Sequence, residues 1–297
     1  MCHMMKRVLL CLVSALALLA SCSDDPLPSS SLEKGSSDGL SSSSSIEEPS
    51  SSEEASSEDV AEKKAAVSGF IQELAAYRDE TTYRTFHGSV LTKYGTGTGE
   101  FVEIDASQSG TETLYRESPV GTILVKEGTE TIGEETSSFL SERYVLDDML
   151  YDLTRYDTGE GSKQKTAVNA ANKAAYFDLS FAAEQISILS SYLPFIGRAN
   201  WATSFFLPSI SGDGEYALSY EATLYNEGIP DQRIAYTYGF RVSGTAIVES
   251  KGRLENVLYL LGEPHQMQFS DIERSYEAKE NGAFAGEILD PDDYPSA

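Results

Sequence analysis

The chain is short of positive charge, of cysteine and of long apolar runs. Against 47 acidic residues it has 22 basic ones, for a formal net charge of −25. Neutralising phosphate needs clustered Lys and Arg, so this deficit excludes a nucleic-acid binder. Cysteine occurs only at Cys2, Cys11 and Cys22. Beyond residue 22, disulfides, cysteine-type zinc sites and cysteine nucleophiles are therefore excluded. The apolar run Val8–Ala20 is shorter than the ~20 residues of a membrane-spanning helix, and no later run reaches that length. Aromatic residues are missing from the first 64 positions: all 17 tyrosines, all 12 phenylalanines and the one tryptophan lie beyond them. One folded part and one unfolded part follow from that split.

The first residues carry an address. Lys6-Arg7 ahead of the apolar run has the form of a signal peptide, residues 1–21, ending in Leu19-Ala20-Ser21-Cys22. Those four residues resemble the lipobox of bacterial lipoproteins. The resemblance implies diacylglycerol on the Cys22 sulfur, cleavage after Ser21 and a protein held on the extracytoplasmic side of the cell membrane. Two or more acyl chains anchor a protein durably where one does not.

From Ser23 to Glu58 the chain is serine-rich and acidic. Such a composition cannot bury enough apolar surface to offset the entropy of ordering, so residues 22–59 read as a lipidated, disordered tether. As a flexible coil it reaches roughly 30–36 Å.

Residues 60–297 read as a single α+β domain. Asp59-Val60-Ala61-Glu62 has the form of a capping box, and Val67, Phe70, Ile71, Leu74 and Tyr77 fall on one helical face. Alternation then predicts a strand over Phe86–Tyr94, a glycine turn at Gly95–Gly99 and a second strand through Val102 and Ile104. Further short strands are expected at Glu112–Arg116 and Gly121–Val125, with Ser109-Gly110 and Glu127-Gly128 as turns. The spacing of Phe139, Leu146, Met149, Leu150, Leu153 and Tyr156 predicts a second helix, and Thr158–Lys165 a loop. A third helix is expected over Phe181–Tyr192, capped by Ser180 and stopped at Pro194. Strands through Tyr216–Leu224 and Ile234–Val242 follow, then a hairpin turning at Ser250-Lys251-Gly252 and a last strand near Glu273–Ala278. Asp290-Pro291-Asp292-Asp293 reads as a solvated acidic tail. Short turns and grouped helices argue for a curved antiparallel sheet with a few packing helices, each half a helix followed by hairpins.

No catalytic constellation is legible. His87 falls on a strand and His265 in a loop beside Pro264, with no G-x-S-x-G nucleophile elbow. Ser162-Lys163-Gln164-Lys165 has the S-x-x-K form, as does Ser31-Leu32-Glu33-Lys34, but Lys165-Thr166 is followed by Ala167 where the companion motif needs glycine. Neither a metal nor a cofactor site is indicated. The remaining signal is aromatic: Tyr216, Tyr220, Tyr236, Tyr238 and Phe240 share faces of adjacent predicted strands. They form either an ordinary sheet core or a ligand-facing apolar surface with hydroxyls at its rim.

The lipobox, the serine-rich tether, the opening amphipathic helix and the meandering strands ending in Val248–Leu254 resemble the LolA/LppX-type lipoproteins over residues 60–290. The resemblance implies a half-barrel closed by helices over an apolar cavity. The expected function is non-catalytic binding of a hydrophobic or envelope-derived ligand. The alternatives are an adhesin or assembly partner with a flat apolar patch, and a carboxylate-based hydrolase. Cys22→Ala is expected to release the protein from membranes or leave its precursor uncleaved, and unchanged membrane fractionation would refute the lipobox reading.

Overall fold

The computed structural model describes residues 57–78, 80–96, 100–159, 161–168 and 173–293. The signal segment, Cys22 and the serine-rich stretch to residue 56 lie outside the described residues, as do Gly97–Gly99 of the glycine turn.

Helix α1 (Ser57–Ala75) precedes a meander of β1 (Tyr83–Gly95), β2 (Phe101–Tyr115), β3 (Ile123–Ile132), β4 (Glu135–Leu146), β5 (Met149–Tyr156) and β6 (Gly161–Ala167). Helix α2 (Phe181–Tyr192) precedes a second meander of β7 (Trp201–Phe206), β8 (Gly214–Asn226), β9 (Ile229–Ser243), β10 (Ala246–Leu260) and β11 (Glu263–Glu277). All strands join one open antiparallel sheet of 11, in the order β6-β5-β4-β3-β2-β1-β11-β10-β9-β8-β7. The two meanders meet where β1 pairs with β11, from Tyr83↔Glu277 to Tyr94↔Gln266. Each half is thus a helix followed by hairpins, as the pattern indicated.

Both helices serve one side of the sheet. Val67, Phe70 and Leu74 of α1 pack into the same core as Phe181, Ala182, Ile188, Leu189 and Tyr192 of α2. Residue Ser180 caps α2, its Oγ accepting from Ala183 N at 3.2 Å, and Leu193–Phe195 continues it as a short 3-10 turn around Pro194. The opposite side of β2–β5 is covered by the C-terminal segment. Phe284 packs on Tyr115 with centroids 5.2 Å apart, and Leu289 is buried against Ile123, Val125, Tyr144 and Leu153. Its backbone is held on both sides: Leu289 N donates to Glu142 Oε2 at 2.8 Å, and Tyr144 Oη donates to Leu289 O at 2.9 Å. The acids Asp290, Asp292 and Asp293 remain exposed, but the segment leading to them is docked.

Several expected elements are corrected. The helix expected from Phe139 to Tyr156 is the β4–β5 hairpin, turning at Asp147-Asp148, both with positive φ. Aspartates tolerate that mirror-image turn, which matches the twist of the flanking strands. These strands are buried on both sides, Val145 and Leu150 in one cluster and Tyr144 and Leu153 in another, so no clean alternation survives to mark them. The expected loop Thr158–Lys165 contains most of β6, and His265 lies within β11.

Three glycines read as turns sit inside strands. Gly110 and Gly128 face each other across β2 and β3, and a Cβ on either would collide with the partner backbone. Gly252 is in the middle of β10, opposite Tyr238, whose ring occupies the space a Cβ would need. The Lys-Gly hairpin is therefore one continuous strand, and the chain turns at Gly244-Thr245 instead. Gly252→Ala should destabilise the domain by ~1–3 kcal/mol through overpacking against Tyr238. In a Tyr238→Ala background the same change should cost much less, which a double-mutant cycle by urea unfolding reads directly.

Candidate functional site

The helix side of the sheet changes character along its surface. Under α2 it is aromatic. Tyr220, Tyr236, Tyr238 and Phe240 are buried, with Tyr216 half-buried beside them. Phe181 meets Tyr238, Phe240 and Tyr276 with centroids 5.7, 5.1 and 6.4 Å away, and Tyr192 meets Tyr220 and Tyr236 at 5.6 and 6.5 Å. Tyr216 stacks on Phe240 at 5.6 Å and donates its hydroxyl to Gly212 O at 2.8 Å. The five expected ligand-facing rings do share one surface, and α2 side chains fill the space against it. Burial pushes the Tyr192, Tyr220 and Tyr238 hydroxyls well above the usual phenol range and that of Tyr236 up to about 12. These phenols stay neutral at physiological pH and act as hydrogen-bonding groups, as Tyr220 does toward Gln185 Oε1 at 3.1 Å.

At the β1–β11 seam the same side becomes charged. Arg84 of β1 binds Glu112 of β2, and Arg274 of β11 binds Glu184 of α2, whose carboxylate also lies 4.0 Å from Arg84. Further along, Arg143 grips Asp152 through two hydrogen bonds of 2.7 and 3.2 Å. Lys126 stands in the same cross-strand row as Arg84 and Glu112. Its Nζ donates to Gln108 Oε1 at 2.7 Å and lies 4.5 and 5.5 Å from the ring centroids of Phe86 and Phe139. To reach Gln108 its stem crosses the floor that Gly110 and Gly128 leave free of side chains. Burial pushes the Lys126 ammonium below its ordinary pKa, with Glu112 opposing and Arg84 and Arg274 adding to the shift.

Sequence reasoning missed this cluster, although a signal existed. Arg84, Glu112, Lys126 and Arg274 each stand two residues from an inward apolar neighbour, respectively Phe86, Leu114, Leu124 and Tyr276. A charge at an inward position of a strand is the mark of a buried ion network.

Beyond the seam, toward the β1–β2 turn, the surface becomes a neutral strip. Val90, Thr92, Ala106, Gln268 and Ser270 are buried, and Ile104, Ile132 and Leu254 are half-buried. Thr92 is 1 % exposed, and neither its Oγ1 nor Ser270 Oγ has a hydrogen-bond partner. A buried hydroxyl left unpaired costs about 1–3 kcal/mol, so each invites a partner.

The other side of the sheet carries ion pairs and shallow relief. Arg233 binds Glu221 and Glu255, Arg241 binds Glu249 and Lys251 binds Glu273. His87, Ser89, Lys251, Asp271 and Glu273 surround a depression of about 360 Å³, and Ser204, Ser219, Glu221, Arg233 and Glu255 one of about 210 Å³. Among the described residues no three His, Cys, Asp or Glu side chains converge as a metal set, and no helix is long and apolar enough to cross a membrane.

General acid chemistry needs a carboxyl with pKa near the working pH. Burial alone would raise Glu112, but Arg84 and Lys126, with Arg274, hold it at about 2. Glu142 is pushed up by burial, yet it is 0 % exposed beneath the C-terminal segment. Since the folded Glu112 pKa lies below its ordinary 4.5, the carboxylate contributes stability above that value and loses it as pH falls toward about 2. Glu112→Gln should cost roughly 3 kcal/mol at neutral pH. Its deficit against the parent in urea unfolding should shrink across that acidic window, and a pH-independent deficit would contradict the assignment.

No protein-family model matches the chain, and no curated protein does. Among solved structures the chain is similar to a LolA superfamily protein from Nitrosomonas europaea at 9% identity, covering 72% of this chain and 94% of that one, with a TM-score of 0.20. A superposition at that score carries no weight for fold or function, and the functional reading rests on the chain's own residues.

Proposed function

We propose that this is a lipid-anchored protein of the extracytoplasmic cell surface that binds an apolar, envelope-derived molecule without transforming it. The observation that carries the reading is the neutral strip next to the seam. Val90, Ala106, Ile104, Ile132 and Leu254 offer an apolar bed, and the unpaired Thr92 and Ser270 hydroxyls lie in it. That combination suits an acyl chain bearing an ester or carbonyl group: the chain lies on the apolar residues and the carbonyl accepts from the hydroxyls. Glu112, Glu184 and Asp152 each bind an arginine, which supports binding over hydrolysis.

Solvent extraction of the purified protein followed by mass spectrometry should recover an acyl-bearing species. Ile104→Glu, at a half-buried position of the strip, should abolish its recovery with the fold retained. Thr92→Val combined with Ser270→Ala should leave unfolding stability unchanged or slightly raised, while weakening binding of a fluorescent acyl ester about tenfold, the loss of one good hydrogen bond. Recovery of no acyl species, together with no binding of the ester, would overturn the reading.

A further inference from the structure

Of the eight large hydrophobic residues exposed among the described residues, six lie at one end of the sheet: Phe101, Val102, Ile229, Leu258, Leu260 and Leu261. They belong to three hairpins adjacent in the sheet, β1–β2, β10–β11 and β8–β9. The tips abut. A Cβ on Gly262 would lie 3.3 Å from Ile229 Cγ2, and one on Gly95 would lie 3.4 Å from His265 Nδ1 and 3.7 Å from Phe101 Cε1. Leu261 is 90 % exposed and has φ 54°, a left-handed conformation that disfavours leucine and is normally given to Asn, Asp or Gly. A strained, solvated leucine contributes nothing to the fold, and a contiguous apolar end of this kind marks a surface for something else.

The charges around it narrow the choice. Glu100, Glu227, Asp231 and Glu263 surround the tips. The nearest cations are committed elsewhere, Lys93 to Glu103 at 2.6 Å and Arg233 to Glu221 and Glu255. An acidic collar repels both a second copy of itself and an anionic lipid surface. It complements the ammonium groups of zwitterionic headgroups. The apolar residues sit at the ends of three hairpins, five on terminal strand positions and Leu261 in a turn, so a fluid phase that closes around each end covers them all.

We infer that the β8–β9 and β10–β11 turns, together with Phe101 and Val102 at the start of β2, insert into the interface of a zwitterionic bilayer, with the acidic collar resting among the headgroup ammoniums. This docking is separate from the Cys22 anchor and from whatever the neutral strip holds.

The test follows insertion at single positions in the full chain with Cys2, Cys11 and Cys22 changed to Ser. Leu261→Cys carries an environment-sensitive dye, and Thr245→Cys at the opposite end is the control. Vesicles of brominated phosphatidylcholine should quench the dye at 261 at least twofold and leave that at 245 unchanged. Replacing half of the lipid with phosphatidylglycerol should weaken the quenching, and adding Ile229→Ser with Leu260→Ser should abolish it without lowering the melting temperature. Absent quenching at 261, equal quenching at both positions, or stronger quenching with phosphatidylglycerol would overturn the proposal. So would a vesicle-free dye shift that grows with protein concentration, which would assign the tips to a second copy, or one that appears only on adding a soluble protein.

Discussion

The pairing of β1 with β11 is the constraint on which the rest of the structure depends. Without it the chain is two meanders, each with a bare edge and a helix that cannot cover it. With it the sheet becomes continuous, and the ion chain Glu112–Arg84–Glu184–Arg274 spans the junction from β2 to β11 by way of α2. Buried ion pairs add little net stability because desolvation offsets their attraction. Their contribution here is positional: an α2 displaced by one turn would leave Arg274 buried without a carboxylate and Arg84 with Glu112 alone. The ring contacts of Phe181 with Tyr238, Phe240 and Tyr276 depend on the same placement.

The seam also separates two kinds of surface on one side of the sheet. Toward β8–β10 the aromatic residues are filled in by α2. Toward the β1–β2 turn the strip is neutral and has hydroxyls with no partner. Lys126 lies at the boundary, its stem over the glycine floor and its ammonium between two rings. A carboxylate held at about 2 and arginines already paired leave this region electrostatically closed, which suits holding a molecule more than reacting with it.

Much of the architecture was legible in the sequence, and the failures have physical causes. Alternation marked β1, β8 and β9 because one side of each is buried and the other carries polar residues, as in Tyr236, Tyr238 and Phe240 against Thr237 and Arg241. It failed at β4 and β5, where Tyr144 and Val145 are both buried, on opposite sides. Glycine misled for a different reason. Gly110, Gly128 and Gly252 resemble turn residues, yet each allows a close approach within a strand, to backbone in two cases and to the Tyr238 ring in the third. The shared surface of the five aromatic residues was readable, and so was α2 as a helix, but not that α2 fills that surface, because strand alternation does not say which face a separate helix covers. The neutral strip escaped notice since Val90, Thr92, Ala106 and Ser270 look ordinary until three strands bring them together.

The seam has a further consequence, in time. Thr85 and Ser275, whose hydroxyls meet at 2.6 Å, are 190 positions apart, so β1 waits for nearly the whole domain to emerge before it can pair. The C-terminal segment over Glu142 and Tyr144 follows later still. Loop closure on that scale makes folding slow and keeps its decisive step for the end of synthesis. A sheet closed by its last-made strand cannot lock into its final shape until that strand is available.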